Sequence, residues 1–170
     1  MSAIASYYLV PRQKTGELIG AARAQSQALV KKRWGIFRPR LPLSPDPLWS
    51  YIKTQTTELE EFPYSGYLLL DVGMFAKGVL SKNGADGLGT KLYEITGLSF
   101  VSFDTGDARK AIDVIDATDF SAGRIRAFLE ENGRTADYPG IVQPLQDASR
   151  RLQAWLACVT DEQVGLLNIG

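Results

Sequence analysis

The stretch from Tyr67 to Leu80, Tyr-Leu-Leu-Leu-Asp-Val-Gly-Met-Phe-Ala-Lys-Gly-Val-Leu, is the densest apolar run in the chain and the feature that most restricts its fold. It has the length of a helix but is far too short to span a bilayer. At ~100° per residue, Leu68, Leu69, Val72, Phe75, Ala76, Val79 and Leu80 share one broad sector. Asp71, Lys77, Gly78, Ser81 and Lys82 fall opposite. The pattern predicts an amphipathic helix over 67–82 whose wide apolar face needs several covering elements. Pro63 with Ser65-Gly66 supplies the entry turn and Asn83-Gly84 a left-handed stop.

A chain of 170 residues fits one domain, 1–170, able to bury about 70% of its unfolded surface without staples. Histidine is absent, which removes the commonest general base and the commonest transition-metal ligand together. Zinc, haem and triad chemistry fall away with it, and neither a metal nor a cofactor is expected. Cys158 is the single cysteine, so no intrachain disulfide can form. It follows Trp155 in an apolar helical pattern and is expected to be a buried thiol. Without a leader-like pattern or a membrane-length run, the expected location is the cytoplasm.

Several elements follow from local chemistry. Residues 3–10, rich in β-formers and ended by Pro11, predict a strand. Arg12 to about Lys32 predicts a helix with Leu18, Ala21, Ala22, Gln25 and Leu29 on one side. Prolines 39, 42, 45 and 47 make an extended connection, and Asp46-Pro47 then starts a helix over about 47–57. After the glycines of 83–89, which serve as linker and caps, residues 91–96 make a turn of helix and 98–103 a second strand. Asp104 with Asp107 forms a capping box for a helix burying Ala108, Ala111, Ile112 and Ile115. A further helix over 121–131 turns Ile125, Phe128 and Leu129 inward and stops at Asn132-Gly133. The last helix, about 142–158, carries Asp147 four residues ahead of Arg151 as a supporting pair. A final strand covers 164–169. The expected fold is α+β, a small sheet containing both terminal strands with about six helices around the central apolar helix 67–82.

Three passages resemble the YfbM-like family of small bacterial proteins: Ile4 to Leu18, Ala111 through Phe128 to Tyr138-Pro139-Gly140-Ile141, and the close on Leu167-Asn168-Ile169-Gly170. The proline-rich connection and the Leu-Leu-Leu-Asp-Val helix depart from it. The resemblance implies a bacterial cytoplasmic α+β domain and brings no activity or catalytic residues, since the family's function is unknown.

Net charge is zero, yet residues 1–40 carry eight Lys/Arg against Glu17 alone and the remaining 130 carry eleven against eighteen acids, +7 followed by −7. The excess acid gathers at Glu58/Glu60/Glu61, at Asp113/Asp116/Asp119 and at Glu130/Glu131. If two of these clusters share a face, its field attracts a cationic protein surface. The first functional expectation is therefore a protein-binding domain, such as an immunity protein that neutralises a basic toxin. The alternative is an enzyme whose site is assembled from sequence-distant carboxylates, tyrosines and arginines. A third reading uses Lys31, Lys32, Arg33, Arg38 and Arg40, interleaved with Trp34 and Phe37, because nucleic acid needs cations for phosphates and aromatic faces for bases. The plainer account of that patch is a cationic helix C-terminus followed by an anchored loop.

Overall fold

The computed structural model describes residues 3–33, 46–80, 87–134 and 140–170, with backbone alone for 30–33. Residues 1–2, 34–45 with Trp34, Phe37, Arg38 and Arg40, 81–86 with the expected Asn83-Gly84 stop, and 135–139 lie outside the described residues. In chain order the elements are β1 Ala5–Pro11, a 3-10 turn Arg12–Lys14, α1 Thr15–Arg33, α2 Pro47–Gln55, β2 Thr57–Glu58, α3 Tyr67–Phe75, α4 Leu88–Thr96, β3 Phe100–Phe103, α5 Thr105–Ala117, α6 Ala122–Glu131, α7 Val142–Ala157 and β4 Gln163–Ile169. The fold is α+β, with one antiparallel sheet in the order β2-β1-β4-β3.

The two terminal strands pair in one sheet, as expected from the sequence, and the structure places them at its centre. Tyr7 lies opposite Leu167, Tyr8 opposite Leu166 and Leu9 opposite Gly165. The ladder continues past both strand ends, where the Ile4 and Gly170 amides each donate to the other's carbonyl. Alternation then sends β1 side chains to two different cores. Tyr7, Leu9, Phe103 and Leu167 meet α3, α5, α6 and α7 on one face. Tyr8, Val10, Phe100 and Leu166 meet α1, α2 and α4 on the other. The sheet is covered on both faces, which explains why 3–10 reads as an unbroken β-forming run rather than alternating with polar residues.

Local signals hold where they are contiguous. The Asp46 carboxylate accepts from the Leu48 and Trp49 amides to cap α2. Buried Gln25 of α1 also accepts from the Leu48 amide, tying the two helices together. Asp104 caps α5 through the Asp107 amide, and Gly133 ends α6 with φ of 67°. The edge of β3 is closed by α4: the Gly89 amide donates to Ser102 Oγ, and a Cβ on Gly89 would sit 2.7 Å from the Phe100 carbonyl oxygen. Only glycine allows that approach, which shields an edge that would otherwise invite another strand.

Five local expectations are corrected. Helix α3 ends at Phe75, and residues 76–80 continue as turns, with Ala76 and Val79 still buried. Asp71, expected on the solvent side, is buried and accepts from both terminal nitrogens of Arg134, at 2.6 and 3.2 Å. Leu29 of α1 is exposed. Cys158 is exposed too, because the buried stripe of α7 runs through Leu152, Trp155, Leu156 and Val159 and position 158 flanks it. Asp147 pairs with Arg150 rather than Arg151, which reaches across to Glu60.

Candidate binding groove

Three surface depressions bring together residues that are distant in sequence. The first, a hollow of about 360 Å³, lies where residues 62–64 cross α7. Tyr64 Oη donates to Asp147 Oδ2 at 2.9 Å, while Gln143 Nε2 and Arg150 donate to Asp147 Oδ1 at 3.0 and 2.6 Å. Beside them Arg151 donates to Glu60 at 2.5 Å. Hydrogen bonds from Arg150, then from Tyr64, hold the Asp147 carboxyl below the usual carboxylate range. Asp147 in turn pushes the Tyr64 phenol up, and Arg151 lowers Glu60. All three shifts move away from neutrality, leaving the carboxylates charged and the phenol protonated. A general base or acid works best with a pKa near the operating pH, so this cluster is placed to tie the 59–64 segment to α7.

The second hollow lies between α1 and α2. The Tyr51 hydroxyl contacts Glu17 Oε2 at 3.1 Å and the Lys14 carbonyl at 3.2 Å as their donor, and Lys14 Nζ donates to Gln55 Oε1 at 2.7 Å. Burial first, then the Glu17 carboxylate, pushes the Tyr51 phenol up to about 12. It stays protonated and fixes the helix pair.

The third, a groove of about 750 Å³, runs between the end of α3, the α5–α6 turn and α6. Its floor is aromatic. Phe75 lies 5.0 Å from Phe128, edge to face, and 5.0 Å from Phe120. Spacing on α6 explains the wall: Arg124, Ala127, Phe128 and Glu131 recur at helical intervals and all line the groove. Met74 and Lys77 face them from the end of α3 and the turn after it. Among the described residues, no ion pair holds Lys77, Arg124 or Glu131. The groove therefore offers two half-buried phenylalanines, Phe75 and Phe128, within a mainly polar lining that has available charge of both signs.

The acidic residues singled out in the sequence are distributed as follows. Asp119 and Glu131, from two different clusters, reach the groove. Asp119 also accepts from the Ser121 amide and hydroxyl at 2.9 and 3.1 Å, bracing the turn into α6. Asp116 accepts from Gln153 of α7, and Glu130 pairs with Arg126 one turn back. Asp113 is exposed on α5. Glu58 sits on the short edge strand β2, Glu60 faces Arg151 and Glu61 is exposed. In the basic patch, Lys31, Lys32 and Arg33 close α1, but their side chains, like Arg38 and Arg40, lie outside the described residues.

Sequence reasoning missed Lys77, Arg124 and Met74 and read Phe75 and Phe128 as interior. Both phenylalanines are half-buried, each packing on one side and open on the other. The 124/127/128/131 spacing was a usable signal, masked because Ile125 and Leu129 mark the inward stripe one position further along the helix.

Among the described residues, no group of three potential metal ligands converges, and no helix is long and apolar enough to cross a membrane. No protein-family model matches the chain, and no curated protein or solved structure matches it with significance.

Proposed function

We propose that this is a protein-binding domain that receives a partner segment in the groove between α3, α5 and α6. One observation carries the reading: an aromatic floor is open at the surface beside Lys77, Arg124 and Glu131, which have no ion-pair partner among the described residues. Apolar surface with charge at its rim is the usual anatomy of a protein contact. The narrower form of the proposal is an immunity protein that neutralises a bacterial toxin in the cytoplasm. Lys77 and Arg124 line the groove together with Asp119 and Glu131, so it is amphoteric and the partner segment needs both charge signs rather than a purely basic cleft. The YfbM-like resemblance is retained as grounds for a distant bacterial relationship and adds nothing to the site.

The alternative enzyme reading draws on the Tyr64, Asp147 and Arg150 cluster, which does assemble a carboxylate, a tyrosine and an arginine from distant positions. The directions of its pKa shifts weigh against proton transfer there. Co-expression with the product of the neighbouring gene separates the two. A binding domain co-purifies with that product, and a neutraliser also restores growth; Phe128→Ser in the groove weakens both. Turnover of a small molecule, lost in a folded Asp147→Asn variant, would replace this reading with the enzyme.

A further inference from the structure

The groove does not end at its floor. Met74, which lines it, is also the last residue of an exposed apolar ridge on α3 formed with Tyr67 and Leu70. These positions are spaced by three and four residues, so they line one side of the helix over about 10 Å. Parallel observations come from α6. Arg124 stands in its first turn and Glu131 at its last residue, about 10 Å apart along the axis. That order opposes the dipole of α6 itself, which favours acid at the N-terminus and base at the C-terminus. No acidic residue occupies its first turn and no basic one its last. The two charges are thus placed against the local interest of the helix that carries them, and they bracket the half-buried Phe128.

Resting on the protein-binding reading above, we infer that the occupant of this groove is an amphipathic helix of another protein, with an acid and a base about seven residues apart flanking an apolar stripe. Its acid meets Arg124, its base meets Glu131, and the stripe lies on Phe128, Met74 and the ridge of α3. A helix suits the groove because its backbone groups are satisfied internally, so it can press on a phenylalanine floor without stranding an amide. An extended strand would span the same distance in about three residues and turn every second side chain away. Charge also sets direction. A helix with acid in its first turn and base in its last is favoured by its own dipole, and it runs parallel to α6.

The test uses three synthetic peptides of about 14 residues, roughly four helical turns, sharing one leucine stripe. One carries glutamate at the end of the first turn and lysine seven residues later, at the start of the last, one glutamate at both of these positions, and one lysine at both. Fluorescence anisotropy is read with the full chain, with Arg124→Glu and with Glu131→Lys, both changes at exposed positions. The native protein is expected to bind the mixed peptide about tenfold more tightly than either uniform one. Arg124→Glu shifts the preference to the lysine peptide and Glu131→Lys to the glutamate peptide. Absence of saturable binding to the native protein, or one ranking shared by all three proteins, overturns the proposal. So does self-association lost in Arg124→Glu, which would give the groove to a second copy. Capture of the neighbouring gene's product undiminished by Arg124→Glu removes this occupant and leaves the binding-domain reading standing; no capture by the native protein removes that reading as well.

Discussion

Tyr7 is completely buried, stacked 5.4 Å from Trp155 and 6.3 Å from Phe103, and its phenol passes over Gly165 on the neighbouring strand. A Cβ at 165 would overlap the Tyr7 oxygen and lie 2.7 Å from Cζ and 2.9 Å from Val159 Cγ2. Gly165→Ala is therefore expected to destabilise by about 1–3 kcal/mol, the usual range for overpacking, as a lower urea midpoint. The Tyr7 hydroxyl has no hydrogen-bond partner among the described residues, and burial, then Cys158, pushes its pKa up. Stranding a buried hydroxyl costs about 1–3 kcal/mol, so Tyr7→Phe should leave stability unchanged or raise it and should recover part of the Gly165→Ala loss. Cys158 lies at the surface, its Sγ 3.4 Å from the Ala154 carbonyl. The folded protein should react with one equivalent of a thiol reagent, and Cys158→Ser should shift stability by less than about 0.5 kcal/mol.

Among the elements, α3 and the end of α6 are joined by a contact that periodicity hides. Asp71 sits between Leu70 and Val72 on the boundary of the apolar sector, and a charged residue there reads as solvent-facing. Arg134, placed just beyond the Gly133 stop, folds back to cover it with two hydrogen bonds. Removing one partner of a buried pair costs about 3–5 kcal/mol. The Arg134 side chain is 36% exposed, so solvent screening reduces the expected cost of Arg134→Ala to about 2 kcal/mol. The double variant Asp71→Leu/Arg134→Ala should cost less than Arg134→Ala alone, since no buried carboxylate is then stranded. Urea unfolding of the set checks the order. Because this pair ties the two helices that wall the groove, the same variants report on how rigidly the groove is held.

At the scale of the molecule, β1 and β4 are central strands covered on both faces, whereas β2 is a two-residue edge. Hydrogen exchange should be slowest at Tyr7–Val10 and Val164–Leu167 and faster at Thr57 and Glu58. Equal protection along β2 and β1 would contradict this architecture. What the sequence determined by itself is what contiguous residues decide: the Asp46-Pro47 and Asp104 helix starts, the Gly133 stop and the β-forming runs at both ends. Capping and propensity act within a few residues, so they can be read in order; the pairing of the two end runs is expected only from the need of an end strand to satisfy its backbone, and it joins residues at opposite ends of the chain. β2 was illegible because its two residues become a strand only through β1. Tertiary structure alone decided that helices cover both sheet faces, that Asp71 goes inside and Cys158 outside, and that Phe75 and Phe128 floor an open groove instead of filling the core. Each of those outcomes depends on which distant element covers a given stripe, and no local energy term within the stripe specifies its cover.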